Sequence, residues 1–312
     1  MNTLICGSMA YDTIMVFQDQ FKKHILPDQI HILNVAFLVP QMRREFGGCA
    51  GNIAYNLQLL GGDPLIMATV GDDFGAYAAR LDKLYLSQKH IRHVPDSFTG
   101  QAFITTDLDD NQITAFHPGA MSFSEQNHVA DATDVTLGIV SPDGRSGMLQ
   151  HACEFHEAGI PFVFDPGQGM PMFGGDDLLN FVEQADYVTV NDYEAKLLQD
   201  KTGKTIEELA KRTRAFIVTL GAQGSVIYTE GKEINIPAAT PKVVLDPTGC
   251  GDAYRAGLLH GIQQGWDWDT TGRLASLMGA LKIASRGGQN HKPTRDELSE
   301  LFKKDFGYSI KL

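Results

Sequence analysis

Residues 243–257 read VVLDPTGCGDAYRAG, and the fold turns on how this stretch is read. The β-branched run Val243–Asp246 predicts a strand. A glycine-rich turn follows, Thr248-Gly249-Cys250-Gly251. Asp252 then leads into Ala253–Ile262, which reads as a helix. Strand, glycine turn and helix make a recurring anion site. Glycines let the backbone come close, the first-turn N–H groups point at the ligand, and the helix dipole adds partial positive charge. A loop that only held phosphate would prefer Lys or Ser to an acid in that first turn. Beside a phosphate cradle, an aspartate fits a base next to a transferring phosphoryl group. Taken alone, the string fits equally well an ordinary first-turn acid behind ordinary loop glycines.

The rest of the composition sets bounds. The chain has 312 residues, 43% hydrophobic and 21% charged, as in ordinary globular proteins. Length alone suggests two domains, although α/β folds of this size are often one. A net charge of −12 argues against a nucleic-acid polymer as partner. The four cysteines, Cys6, Cys49, Cys153 and Cys250, are far apart, with no C-x-x-C and no histidines at zinc spacing. Reduced thiols and a cytoplasmic setting are expected. The N-terminus lacks the basic start of a signal peptide and meets Asp12 early. No apolar run approaches membrane-spanning length, so no membrane partner is expected.

Outward from residue 243, the pattern is regular. Strands are expected at Val135–Val140, Pro161–Asp165, Tyr187–Val190, Phe216–Leu220 and Val243–Asp246. Helices are expected at Gly147–Ala158, Asp177–Gln184, Asp192–Asp200 and Ile206–Thr213. That alternation implies a parallel sheet. Ser225–Tyr228 and Glu233–Ile236 read as a hairpin around Glu230-Gly231. Helices at Thr270–Ser285 and Arg295–Lys303 close the chain. Nearer the start, Thr3–Cys6 is a short strand without a dinucleotide fingerprint after Gly7. Gly47-Gly48-Cys49-Ala50-Gly51-Asn52 feeds a second helix. Residues 12–46 and the two runs of Gln101–Phe116, around Asp109-Asp110-Asn111, read as a small separate sheet. Ligands of open α/β sheets bind at the carboxyl ends of strands. The polar residues expected there are Ser8, Asp165, Asn191, Thr219 and Asp246.

DPTGCGD closely resembles the signature D-T-x-G-A-G-D of the ribokinase-like (PfkB-type) kinases, with Cys250 in place of the usual Ala. The resemblance implies a three-layer α/β sandwich with a mostly parallel central sheet and a small β lid. The main domain would comprise residues 1–11, 47–97 and 118–312, and the lid 12–46 and 98–117. It also implies that Asp252 is the catalytic base and that the backbone of Gly249, Cys250 and Gly251 is the anion hole. Asn191-Asp192-Tyr193-Glu194 reads on spacing as a capping pair. It also matches the family's N-x-x-E, in which Glu194 would hold Mg²⁺ through water. Thr219, Gly221 and Gly224 match T-x-G-x-x-G at the ATP phosphates and ribose. Ile283 to Gln289, including Gly288, resembles the loop flanking the adenine of ATP. Family members often need K⁺, which by resemblance would bind at Asp246 and Ser285.

The likeness is sharpest to the bacterial adenosine kinases of this family. It is carried by CGSMAYDTIMVF, ILPDQIHILNVAFLV, FGGCAGNIAYNL, FHPGAM, NDYE and DPTGCGDAYRAG. By that likeness Ser8, Asp12, Gly48 and Asn52 bind ribose, Phe103 and Phe116 sandwich adenine, and Gln168 contacts the nucleoside. The DPGQG segment has Gly169 where the group often has a second Gln. The expected reaction is transfer of the γ-phosphoryl of ATP to the 5′-hydroxyl of adenosine. A sugar kinase of the same family and a non-catalytic nucleoside-binding protein are the alternatives. Oligomeric state stays open, a homodimer among the options.

Overall fold

A computed structural model of the chain describes residues 2–25, 34–109 and 111–312. Asp110 of the expected hairpin turn, and residues 26–33 of the ILPDQIHILNVAFLV string, lie outside the described residues.

Hydrophobic side chains alternate through Thr3-Leu4-Ile5-Cys6, and both sides of this strand are buried. The strand, β1 (Asn2–Cys6), pairs in parallel with β4 (Asp63–Val70) and β8 (Val135–Val140). From β8 the sheet continues in parallel through β9 (Phe162–Phe164), β10 (Tyr187–Asn191) and β11 (Ala215–Thr219). It ends in the antiparallel hairpin β12 (Ser225–Thr229) and β13 (Lys232–Ile236). On the other side β5 (His90–His93) closes it, giving nine strands among the described residues, in the order β13-β12-β11-β10-β9-β8-β1-β4-β5.

The period of two divides each strand between two cores. Ile5, Ile66, Ile139 and Ile217 pack under α1 (Cys49–Leu59), α2 (Gly75–Lys83), α7 (Cys250–Gln263) and α8 (Trp268–Ile283). Leu4, Met67, Val140, Val188 and Phe216 face α3 (Arg145–Glu157), α4 (Gly175–Gln184), α5 (Asp192–Thr202) and α6 (Ile206–Ala210). A third cluster seats α9 (Arg295–Phe306) on α8. This is the expected three-layer α/β sandwich.

Among the described residues the second sheet has four strands in the order β3-β2-β6-β7. They are β2 (Ala10–Val16), β3 (Gln41–Gly47), β6 (Gly100–Thr106) and β7 (Gln112–His117). Beyond the end of β2, Phe17, Phe21 and Phe37 pack ring on ring, with centroids 4.8–5.9 Å apart.

One expected element does not form. Val243–Asp246 is not a strand. Val243, Val244 and Leu245 are exposed, and β13 already ends the sheet. Instead, the N–H groups of Leu245 and Asp246 both donate to the carbonyl of Ile283, at the end of α8. The glycine turn therefore hangs from a helix end, not from the sheet.

Candidate active site

Two glycines set up the site. Gly48 and Gly249 precede α1 and α7 with φ of +84° and +77°, a region unfavourable to other residues. A Cβ on Gly48 would lie 2.5 Å from the Ser8 carbonyl oxygen. Neither helix start has a side-chain cap. The two starts face each other, and their first turns meet where Asn52 Nδ2 donates to Asp252 Oδ2 at 2.8 Å. Gln289 Nε2 donates to the other end of the Asn52 amide at 3.1 Å. Gly288 must lack a side chain, since a Cβ there would sit 2.3 Å from Asn52 Oδ1.

Asp252 is the third residue of α7. Burial raises its carboxyl to about 6, against the opposing pull of the Asn52 hydrogen bond and the Arg255 charge. Such a group is ionised at neutral pH and is a stronger base than an ordinary carboxylate. One turn further, Arg255 is buried and makes a two-pronged pair with Asp165, Nε–Oδ2 2.9 Å and Nη2–Oδ1 2.8 Å. Sequence reading placed Asp165 at a strand end but missed its partner. The available signal was an arginine on a helix face that otherwise reads as buried.

A cleft of about 350 Å³ opens between the sheets. It brings together Ser8, Asp12, Gly48, Asn52, Gln168, Asn191, Glu194, Gly249, Gly251 and Asp252, as well as Phe116. The Ser8 hydroxyl accepts from the Cys49 N–H at 3.1 Å, and Gln168 Nε2 donates to Cys49 Sγ at 3.5 Å. Burial, with Asp246 and Glu45 nearby, raises Asp12 to about 6. Asn191 and Glu194 form the full capping box, with Asn191 Oδ1 accepting from Glu194 N at 2.7 Å and Glu194 Oε2 from Asn191 N at 2.8 Å. Burial raises the Glu194 carboxyl, and so does Asp165. The capping role is thus realised at the edge of the cleft.

Several expected residues stand apart. In the register, Phe116 lies opposite Ala102, and Ala102 beside Asp12, so these three share the face that lines the cleft. Phe103 is opposite Ala115 and next to Thr13, on the other face. The expected two-ring sandwich therefore does not form within the chain, because adjacent residues of a strand point to opposite sides. Thr219, Gly221 and Gly224 do not line this cleft. The Thr219 hydroxyl donates to the Val190 carbonyl at 3.4 Å, and Gly221 and Gly224 take positive φ in the turn before β12. The Cys250 N–H already donates to the Pro247 carbonyl at 3.1 Å, and of the three expected anion-hole residues only Gly249 and Gly251 line the cleft. Asp246 and Ser285, expected around K⁺, turn their carbonyls to Lys282 Nζ at 2.8 and 3.0 Å.

Residues 9–295 match the pfkB family of carbohydrate kinases. The nucleoside kinase of Methanocaldococcus jannaschii is 31% identical over 87% of this chain and 90% of its own. The structure of Burkholderia thailandensis nucleoside kinase in complex with inosine superposes with a TM-score of 0.91, at 55% identity over 99% of both chains. Its ADP-inosine complex gives a TM-score of 0.88, at 57% identity over 99% of this chain and 97% of that one. The chain belongs to the pfkB family of carbohydrate kinases and is a phosphotransferase with an alcohol acceptor.

Proposed function

From membership of the pfkB family, we propose that the chain transfers the γ-phosphoryl group of ATP to the 5′-hydroxyl of a purine nucleoside, adenosine in the first instance. One observation carries the nucleoside reading. The face of the small sheet that lines the cleft offers both a carboxylate, Asp12, and a half-exposed ring, Phe116, across from Asp252. Asp12 accepts hydrogen bonds from the vicinal hydroxyls of a ribose, and Ser8, Gly48 and Asn52 line the same pocket. Phe116 offers a stacking face to a base, which a bare sugar cannot use. Gln168 reaches the nucleoside from the opposite wall. With Gly169 next to it, no side chain from that position contacts the base, so inosine belongs beside adenosine among the substrates to try. The related nucleoside kinase that binds inosine supports this choice.

In the reaction, Asp252 takes the 5′-hydroxyl proton. Gly249 and Gly251 N–H groups, at the positive end of α7, hold the oxygens of the transferring group. The small sheet acts as a lid, and the water it excludes would otherwise compete as acceptor. Among the described residues no cluster of three or more His, Cys, Asp or Glu could hold a metal ion. Mg²⁺ keeps waters and phosphate oxygens as most of its ligands, so one cleft-lining carboxylate, Glu194, suffices to place it. Glu194 would hold it through water, and the ion would offset nucleotide charge. Thr219, Gly221, Gly224, Ile283 and Gly288 are the proposed ATP side of the site.

The test is a panel of adenosine, inosine, other nucleosides, ribose and fructose, each with ATP–Mg²⁺ and scored for ADP release. A purine nucleoside with the highest kcat/KM supports the proposal. A sugar at the top would replace it with the sugar-kinase reading.

A further inference from the structure

The C-terminal end of α8 carries a charge that the proposed reaction does not use. Lys282 is fully buried, with 0% exposure. Its ammonium donates to the carbonyl oxygens of Asp246 at 2.8 Å and Ser285 at 3.0 Å. Asp246 is the hub of the loop before the anion hole. Its two carboxylate oxygens accept from the N–H of Thr248 at 2.9 Å and of Gly287 at 2.8 Å. Its own N–H donates to the Ile283 carbonyl. The two loops so joined end at the site. A Cβ on Gly249 would lie 3.2 Å from the Gly288 Cα, and Gly288 itself packs on Asn52.

The resemblance to K⁺-requiring kinases assigns a cation to these same positions, Asp246 and Ser285. The donor set does not fit one here. An alkylammonium head and K⁺ are similar in size, and carbonyl oxygens serve both. A K⁺ on the oxygens already facing Lys282 would lie against a second, buried positive charge, where repulsion is poorly screened. We propose that the Lys282 ammonium is a resident substitute for a monovalent cation, fixing the loop from Asp246 to Gly251 so that catalysis needs no K⁺. Lys282 is then a positioning residue, acting on the transferring group through the backbone of that loop. The inference rests on residues 249–252 being the phosphoryl-transfer centre.

The test compares chlorides of K⁺, Na⁺ and choline at constant ionic strength, using the best acceptor from the panel. Wild-type kcat should stay within about twofold across the three salts, with an unchanged melting temperature. Activation of the wild type by K⁺ of about tenfold or more, with a K⁺-dependent melting temperature, would overturn the proposal. Lys282→Ala opens space for a free cation. In choline chloride its kcat should fall about tenfold or more, with KM for the acceptor changed little. K⁺ or NH₄⁺ should restore much of that rate and raise its melting temperature. Wild-type kcat for Lys282→Ala in choline, or loss that neither cation repairs, would also overturn it. If Lys282→Ala does not fold, the wild-type salt series decides. Asp252→Asn, assayed alongside, separates the two readings. An active Asp252→Asn removes the transfer centre, whereas K⁺ activation with an inactive Asp252→Asn removes only the role given to Lys282.

Discussion

The two sheets differ in how firmly they hold what they carry. The nine-stranded sheet is covered by helices on both faces, and the groups at its carboxyl edge are locked by hydrogen bonds to several elements. Asp252 is tied to Asn52, and Asn52 to Gln289. The four-stranded sheet is covered far less. Every residue of β7 is exposed, and Phe116, at 53% exposure, meets no ring partner among the described residues. Rigid placement suits proton transfer and electrostatic stabilisation, where small displacements are costly. A loosely covered face suits a group that closes on a ligand. Under the proposed function, chemistry falls to the helix starts packed on the large sheet and acceptor choice to the small sheet.

The largest effect should come from the rigid side. Asp252→Asn keeps shape and a hydrogen bond to Asn52 but cannot take a proton. It should lower kcat about 10²–10⁴-fold with KM nearly unchanged. In the wild type, kcat should rise with pH until Asp252 is ionised, levelling off above about 6. Stability moves the other way. The folded carboxyl lies above its usual 3.8, so the native state favours the proton, and the ionised group destabilises the fold as pH rises from about 4 through about 6. Asp252→Asn should therefore melt higher than wild type above that range. A lower melting temperature there would break the link between buried charge and catalysis.

Next is the pair beneath the site. Arg255→Met leaves Asp165 buried without its partner and should cost about 3–5 kcal/mol in denaturant unfolding, more than any change on the small sheet. A cost under about 1 kcal/mol would mean that this edge is not rigid. Smaller again is Phe116→Ala. It should raise KM for adenosine about ten- to a hundredfold, the equivalent of a stacking loss of roughly 1–3 kcal/mol, and leave KM for ATP alone. The smallest is Phe103→Ala, on the other face of the same sheet, expected to change adenosine kinetics less than about twofold. Equal effects at Phe103 and Phe116 would restore the two-ring sandwich that the register opposes.

Where the sequence was legible follows the same division. Between Val135 and Thr219, strands and helices alternate with strong periods of their own, and the buried layers repeat that pattern. The glycine turns were legible because glycine takes the positive φ of residues 48 and 249 without the strain other residues meet there. Val243–Asp246 misled, because a β-branched run reports a preference for extended backbone but not the presence of a neighbouring strand. Phe103 misled for a related reason. Two aromatics on the two arms of a hairpin share a face only in one register, and register is set by pairing partners outside the motif. Lys282 and Arg255 sit on helices read from their apolar positions. Their charges find partners more than 30 residues away in sequence, at Asp246 and Asp165, which no local pattern displays.

Competition between acceptors probes a base-selecting lid above a proton-accepting helix start. Adenosine and ribose at equal concentration, with limiting ATP–Mg²⁺, would be followed by ³¹P NMR, so that the product ratio reports the ratio of kcat/KM values. Nearly all transferred phosphate should appear as the nucleoside 5′-monophosphate. Ribose phosphate as the main product would contradict it.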